Sequence, residues 1–311
     1  MTEEERITLG FNVYCWGEQY QDALLIDCIL PLFSRLTADC DAHRLWFDRA
    51  TLRGPHIFGL VTVPVRHQEN ARDLIRVKLE RFLCERPSQR QLTAQELNAS
   101  HLDAGGKSLC DADLEDGIGA NNSFKVFIHE GPDTRYPFFL WKEDNLFWRI
   151  TAGLTMFILR QLAAGVKKNR LALVALIAFD KAFFEDSGEA KQYWTYHIST
   201  LIPRLDVSRL GPSHVQAMLG HTISEEGFAQ IPQWRNGHVE DEMADSFTEI
   251  EEFFRDLQPV VGKAAGSARS VARELLHVLL KQLGISTLRQ IPIIFSLLAL
   301  STDVQVPAGH R

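Results

Sequence analysis

The chain opens with ITLGFNVYCW, Ile7 to Trp16, a β-branched and aromatic run that predicts a strand. From Tyr20 to Leu36 the apolar residues Ala23, Leu24, Ile26, Leu30, Leu32 and Phe33 recur at helical spacing, with Pro31 as the expected kink. RLWFDRA and HIFGLVTVPV then predict two strands, and Gly59 inside the second marks a possible bulge. His67 to Cys84 predicts an amphipathic helix whose stripe is Ala71, Leu74, Ile75, Leu79 and Phe82, with Val77 off it. Glu85 to Asn122 is polar and rich in Gly, Ser, Asn and Asp, which predicts a long loop. FKVFIHE, Phe124 to Glu130, restores a strand. The order β-α-β-β-α-β is that of a ferredoxin-like module, an antiparallel sheet with helices on one face.

Beyond Tyr136 the strand pattern gives way to helical spacing. Helices are predicted over Asn145 to Val166, Asn169 to Phe184, Glu189 to Ile202, Asp241 to Leu257 and Ser267 to Leu283, the last closed by Gly284 as a C-cap. Ile285 to Leu300 predicts one more. The fold class is therefore α+β. The expected division is a sheet module over 1–136, with the polar loop near 85–122, and a helical half over 137–311 packed on it as one unit.

With 311 residues, 45% hydrophobic and 23% charged, the composition is that of a globular protein with a sizeable core. The formal charge of −7 and pI near 5.9 argue against a duplex nucleic-acid binder, which needs a basic field. MTEEER carries no export pattern, and the longest apolar run, IPIIFSLLALS, is shorter than a bilayer span of about 20 residues. No membrane partner is expected. Five scattered cysteines without C-x-x-C spacing suggest reduced thiols in the cytoplasm and no zinc site. Oligomeric state is not legible.

The chemistry concentrates in Arg44 to Val65. Arg49, Arg53 and His56 lie between two apolar runs, around a Gly54-Pro55 turn. That pattern fits either a site for an anion or a proton transfer, or a plain hairpin with a basic rim. Arg49 can line a pocket or pair with an acid; His56 can move a proton or cap its turn. Strand alternation aims His56, Phe58 and Leu60 the same way. A short reversal is expected to bring Arg49 and His56 to one cleft with Phe58 and Leu60 as its wall. In the helical half, KQYWTYHIST supplies Tyr196 and His197 as candidate catalytic groups, with packing of Trp194 and His197 on a shared face as the alternative. His214 and His221 share a face without a third metal ligand, and His277 sits among apolar residues. The acidic run HVEDEMADSFTEIEEFF reads as a solvated face or a contact for a basic peptide. No G-x-S-x-G, P-loop or G-x-G-x-x-G is present, which weakens hydrolase, NTPase and dinucleotide readings.

Trp46, Phe47, Asp48 and Arg49, followed by Gly54-Pro55-His56, resemble the F-F-I-R-Y…G-P-H pattern of the elimination domain of class I lanthipeptide dehydratases and its stand-alone thiopeptide relatives. ITLGFNVYCW and QDALLIDCILPLFSRL resemble that family's opening strand and D-x-L-L…P-L helix. The arginines that follow G-P-H in glutamate-eliminating members are replaced here by Ile57, Phe58, Gly59 and Leu60. Losing charged donors from a carboxylate site costs about 1.5–3 kcal/mol per hydrogen bond. The resemblance therefore implies the pyridine synthase branch, in which two dehydroalanines and a peptide carbonyl join in a formal [4+2] cycloaddition with loss of water and the leader peptide. The alternatives are a glutamate-elimination subunit and a non-catalytic precursor-binding domain. Implied candidate residues are Arg49 and His56 for catalysis and Trp46, Arg53, Phe58 and Leu60 for substrate contact, with no metal or cofactor. The implied partners are a ribosomally made precursor peptide and other biosynthetic enzymes. Gln89 to Asn122, with the nearby sheet edge, is expected to contact the leader.

Overall fold

A computed structural model describes residues 5–51, 53–97, 118–129, 145–184, 187–201, 241–261, 276, 279–285, 290, 293 and 294. The polar stretch 98–117, His214, His221 and His277 lie outside the described residues.

Among them, four strands form one antiparallel sheet, β1 (Arg6–Tyr14), β2 (Arg44–Ala50), β3 (His56–Pro64) and β4 (Ser123–Ile128), in the order β2-β3-β1-β4. Between β1 and β2 run α1 (Glu18–Leu24), a π-helical turn (Leu25–Ile29) and α2 (Leu30–Cys40). Pro31 accounts for that turn. It lacks an N–H and crowds the carbonyl four residues back, and the chain responds by bonding Leu30 N–H to the Leu25 carbonyl, five residues back. The predicted kink thus takes the form of a wider turn inside a continuous helical run. Between β3 and β4 lies α3 (Gln68–Glu85), whose Ala71, Ile75, Leu79 and Phe82 are buried while Val77 is exposed. The ring of Phe33 meets Phe11 at 6.3 Å, and the Cys28 thiol donates to the Lys78 carbonyl, so both helical segments share one side of the sheet.

The predicted bulge at Gly59 is absent. Gly59 pairs in unbroken register with Phe11 on one side and Phe47 on the other. Its role is space: a Cβ there would lie 2.0 Å from the Phe11 ring. Every residue of β3 is buried, so the sheet is covered on both faces at its centre.

The helical half contributes α4 (Asn145–Ala163), α5 (Lys168–Phe183), α6 (Ser187–Leu201) and α7 (Asp241–Val261). α4 packs against β2 and the π-helical turn. α5 is buried all round from Leu171 to Asp180, as befits a central helix. Phe179 meets Phe183, Tyr193, Trp194 and Phe254 with ring centroids 4.9–5.8 Å apart. One cluster of buried apolar side chains runs from Leu9 through Ile294, joining the sheet to the helices. Gly284 ends a helical segment as expected. It adopts φ +80°, and Ile285 N–H bonds the Leu280 carbonyl while Gly284 N–H bonds that of Lys281, a Schellman closure. No helix among the described residues is long and apolar enough to cross a membrane.

Candidate functional site

A cleft of about 710 Å³ opens where the start of α1, the end of β2 and the segment after α3 meet. Its lining includes Glu18, Tyr20, Asp22, Arg49, Thr51 and Arg90. Arg49 organises it. The side chain is 8% exposed and projects from the penultimate position of β2 toward the helices. Its Nε–H donates to the Gln282 carbonyl at 3.0 Å, one terminal nitrogen donates to Gln21 Oε1 at 3.5 Å, and the other to Asp22 Oδ1 at 2.5 Å. The Gln282 carbonyl is one that the Schellman closure leaves open, so Arg49 also caps the negative end of that helical segment.

The second oxygen of Asp22 accepts from Lys168 Nζ at 2.5 Å, and Lys168 also donates to Glu18 at 2.8 Å. Beside this network, Gln282 Nε2 donates to the Phe47 carbonyl at 2.6 Å and Lys281 Nζ pairs with buried Asp48 at 3.0 Å. Three cations and three carboxylates thus tie β2, α1, α5 and residues 281–282 together. Both sequence alternatives for Arg49 hold at once: it lines a pocket and it pairs with an acid. Sequence reasoning passed over Lys168, Gln21 and Gln282. Asp22 was visible only as the first residue of the D-x-L-L pattern; a backbone carbonyl such as that of Gln282 leaves no residue-type signal.

The expectation that Arg49 and His56 face one cleft fails on strand register. Arg49 pairs with Ile57, whereas His56 pairs with Ala50. Paired residues share a face and neighbours alternate, so Arg49 points to the helical side and His56 to the other. His56 is buried. Its Nδ1–H donates to the Gly54 carbonyl at 2.8 Å, and its ring lies 4.8 Å from that of Tyr14. That bond fixes the Nδ1–H tautomer or the doubly protonated ring, and braces the turn whose Pro55 does line the cleft.

Trp46, Phe58 and Leu60 lie on the His56 side as well, with Trp46 opposite Leu60 in the register; all three are buried and none lines the Arg49 cleft. Arg53 is an exposed turn residue with φ +66°, and its carbonyl accepts from Gly119 N–H at 2.9 Å. Tyr196 is 63% exposed on α6. His197 is buried against Trp194 and Tyr193 at 5.7 and 6.2 Å, on the face it shares with Trp194. Trp194 in turn donates to Asp180 at 2.5 Å.

The polar stretch after α3 is anchored at both described ends. Asn121 donates from Nδ2 to the Ser88 and Arg90 carbonyls and accepts Trp16 N–H. Asn122 bonds both the N–H and the carbonyl of Ser88. Thr93 and Glu96 form a reciprocal capping box at residues 94–97. This pair of asparagines therefore closes the segment at its neck and supplies the Arg90 wall of the cleft.

No group of three or more metal-ligating side chains occurs among the described residues. Buried thiols are passive: loss of solvent pushes Cys15 up to about 11 and Cys28 up to about 12.

No family model matches the chain. No curated protein matches it either. Among solved structures it is similar to the pyridine synthase TbtD from thiomuracin biosynthesis, at a TM-score of 0.70 and 19% identity, over 96% of this chain and 98% of that one. The two share a fold along essentially their whole lengths.

Proposed function

We propose that this chain matures a ribosomally made thiopeptide precursor and forms a pyridine from two dehydroalanines by formal [4+2] cycloaddition. The observation that carries the reading is the full-length likeness to a pyridine synthase, 96% of one chain against 98% of the other. The strand order β2-β3-β1-β4, all antiparallel, supports the ferredoxin-like reading of 1–136, with 137–311 as the helical half.

The chemistry asks mainly for positioning. One backbone amide becomes its iminol, giving the azadiene; the second dehydroalanine adds across it; water and then the leader amide leave as the ring becomes aromatic. Holding both alkenes in register can supply about 7–11 kcal/mol of such a barrier. A cleft of about 710 Å³ suits a peptide loop of several residues. In this reading Arg49 holds substrate and His56 acts through the Gly54-Pro55 turn. Trp46, Phe58 and Leu60 support the sheet from its far face, and Arg53, Tyr196 and His197 stand outside the cleft. The protein works in the cytoplasm beside the enzymes that dehydrate the precursor, and the anchored segment after α3 meets the leader.

Ile57, Phe58, Gly59 and Leu60, all buried, offer no charged donor for a glutamyl group, and Asp22 already occupies one arm of the Arg49 fork. Both facts favour cycloaddition over glutamate elimination. Mass spectrometry after incubation with a dehydrated precursor separates the readings. Loss of water with release of a leader amide supports the proposal, loss of a glutamate mass supports elimination, and an unchanged peptide that co-elutes with the protein supports binding alone.

A further inference from the structure

A guanidinium carries five N–H donors. In Arg49 three are engaged, by Gln282, Gln21 and Asp22. One N–H on each terminal nitrogen therefore has no partner among the described residues, on a side chain that lines the cleft and is only 8% exposed. Those two donors can serve an oxygen acceptor entering the cleft.

The charge around those donors is already balanced. The cleft lining holds two cations, Arg49 and Arg90, and two carboxylates, Glu18 and Asp22, and Lys168 just behind it pairs with both carboxylates. Asp22 sits 2.5 Å from Arg49, while Arg90 is paired with Glu96 at 2.7 Å. A carboxylate entering the cleft would meet the fixed charges of Glu18 and Asp22 as well as the Arg49 donors. A neutral amide carbonyl would take the two donors without that repulsion or the cost of stripping water from an anion.

We propose that the Arg49 cleft selects a neutral backbone carbonyl of a peptide and discriminates against a carboxylate, with Asp22 as the residue that sets this preference. Asp22 acts here as a positioning residue: it orients the guanidinium and cancels its charge. The inference rests on the peptide-maturing reading above and adds the class of group that the cleft accepts.

The test measures binding of two fluorescently labelled, terminally capped peptides to the full chain by anisotropy. One is uncharged and contains two dehydroalanines; the other carries glutamate in place of one of them. Wild-type protein should bind the neutral peptide roughly tenfold or more tightly, the size of one hydrogen bond to a charged group. Asp22→Asn should shrink that ratio roughly tenfold by strengthening the glutamate peptide. Glu18→Gln, which leaves every Arg49 bond in place, should shrink it by a smaller factor and covers the case in which the first variant fails to fold. Equal wild-type affinities, or a ratio unchanged in both variants, overturns the assignment. If pyridine forms while the ratio is unmoved, the proposed activity stands and this inference falls. If no pyridine forms while the ratio moves as described, the reverse holds.

Discussion

Replacing Arg49 tests how much of the architecture hangs on one guanidinium. Arg49→Met keeps the length and removes three hydrogen bonds at once, to Gln282, Gln21 and Asp22. It leaves a half-buried carboxylate with Lys168 as its remaining cation and an open carbonyl at a helix end. Breaking a buried ion pair from one side costs about 3–5 kcal/mol. Asp22 retains some solvent and a second cation, which argues for the lower end, about 3 kcal/mol. Arg49→Lys keeps the charge but offers one nitrogen where the fork has three, so it cannot meet a carbonyl, an amide and a carboxylate together. Its cost should be about 1.5–3 kcal/mol, one charge-assisted hydrogen bond with its geometry lost. Urea unfolding read by tryptophan fluorescence measures both. A double-mutant cycle with Asp22→Asn should return a coupling of about 1–3 kcal/mol. If Arg49→Met unfolds within about 0.5 kcal/mol of wild type, the ordinary range for an uninvolved surface site, Arg49 does not tie β2 to α1 and residues 281–282.

Gly59→Ala drives a methyl into the Phe11 ring, 2.0 Å away, and should cost about 1–3 kcal/mol or more; adding Phe11→Leu should recover part of it, and failure to recover would refute the space argument. His43 is held down to about 4 by burial first and then by Arg6 and Arg44, against the smaller pulls of the Thr62 hydrogen bond and Asp41. Between about pH 6.5 and 4 the unfolded chain binds a proton that the folded chain refuses, so stability should fall as pH falls through that window. At about 1.4 kcal/mol per pH unit the bound is about 3.5 kcal/mol; partial solvation reduces the expectation to about 1–2 kcal/mol. His43→Gln, which can still accept from Arg6, should flatten that part of the profile, and an unchanged slope would rule His43 out. Asn121→Ala removes the bonds to Ser88, Arg90 and Trp16 and should raise hydrogen exchange at residues 88–92, with an unaltered pattern counting against the neck.

What the sequence disclosed follows from local physics. The described strands and helices sit within a few residues of their predicted bounds because alternation and helical spacing are local signals; the helices predicted over Ser267 to Leu283 and Ile285 to Leu300 fall mostly outside the described residues. The Gly284 cap was readable for the same reason, since a left-handed position after an apolar run favours glycine. Val77 fell off its stripe and is exposed as that implies. The cleft was half legible. Arg49 stood out as a charge in a buried strand, yet its partners come from Asp22, far back in the chain, and Gln282, 233 residues on. His56 lies on the sheet face opposite Arg49, which alternation within β3 alone does not disclose. Only the pairing of Ala50 with His56 fixes which faces match. Gly59 reads from its own strand as a bulge, yet its cause is a phenylalanine on the neighbouring one.

On the proposed reading the chain joins two dehydroalanines and a peptide carbonyl carbon into one ring. The most direct measurement uses a dehydrated precursor labelled with ¹³C at the two alkene methylene carbons, followed by carbon NMR of the reaction with purified protein. Both labelled methylenes should become aromatic ring methines as the leader is released. Two labelled carbons that remain alkene methylenes, with the protein folded and the peptide bound, would contradict it.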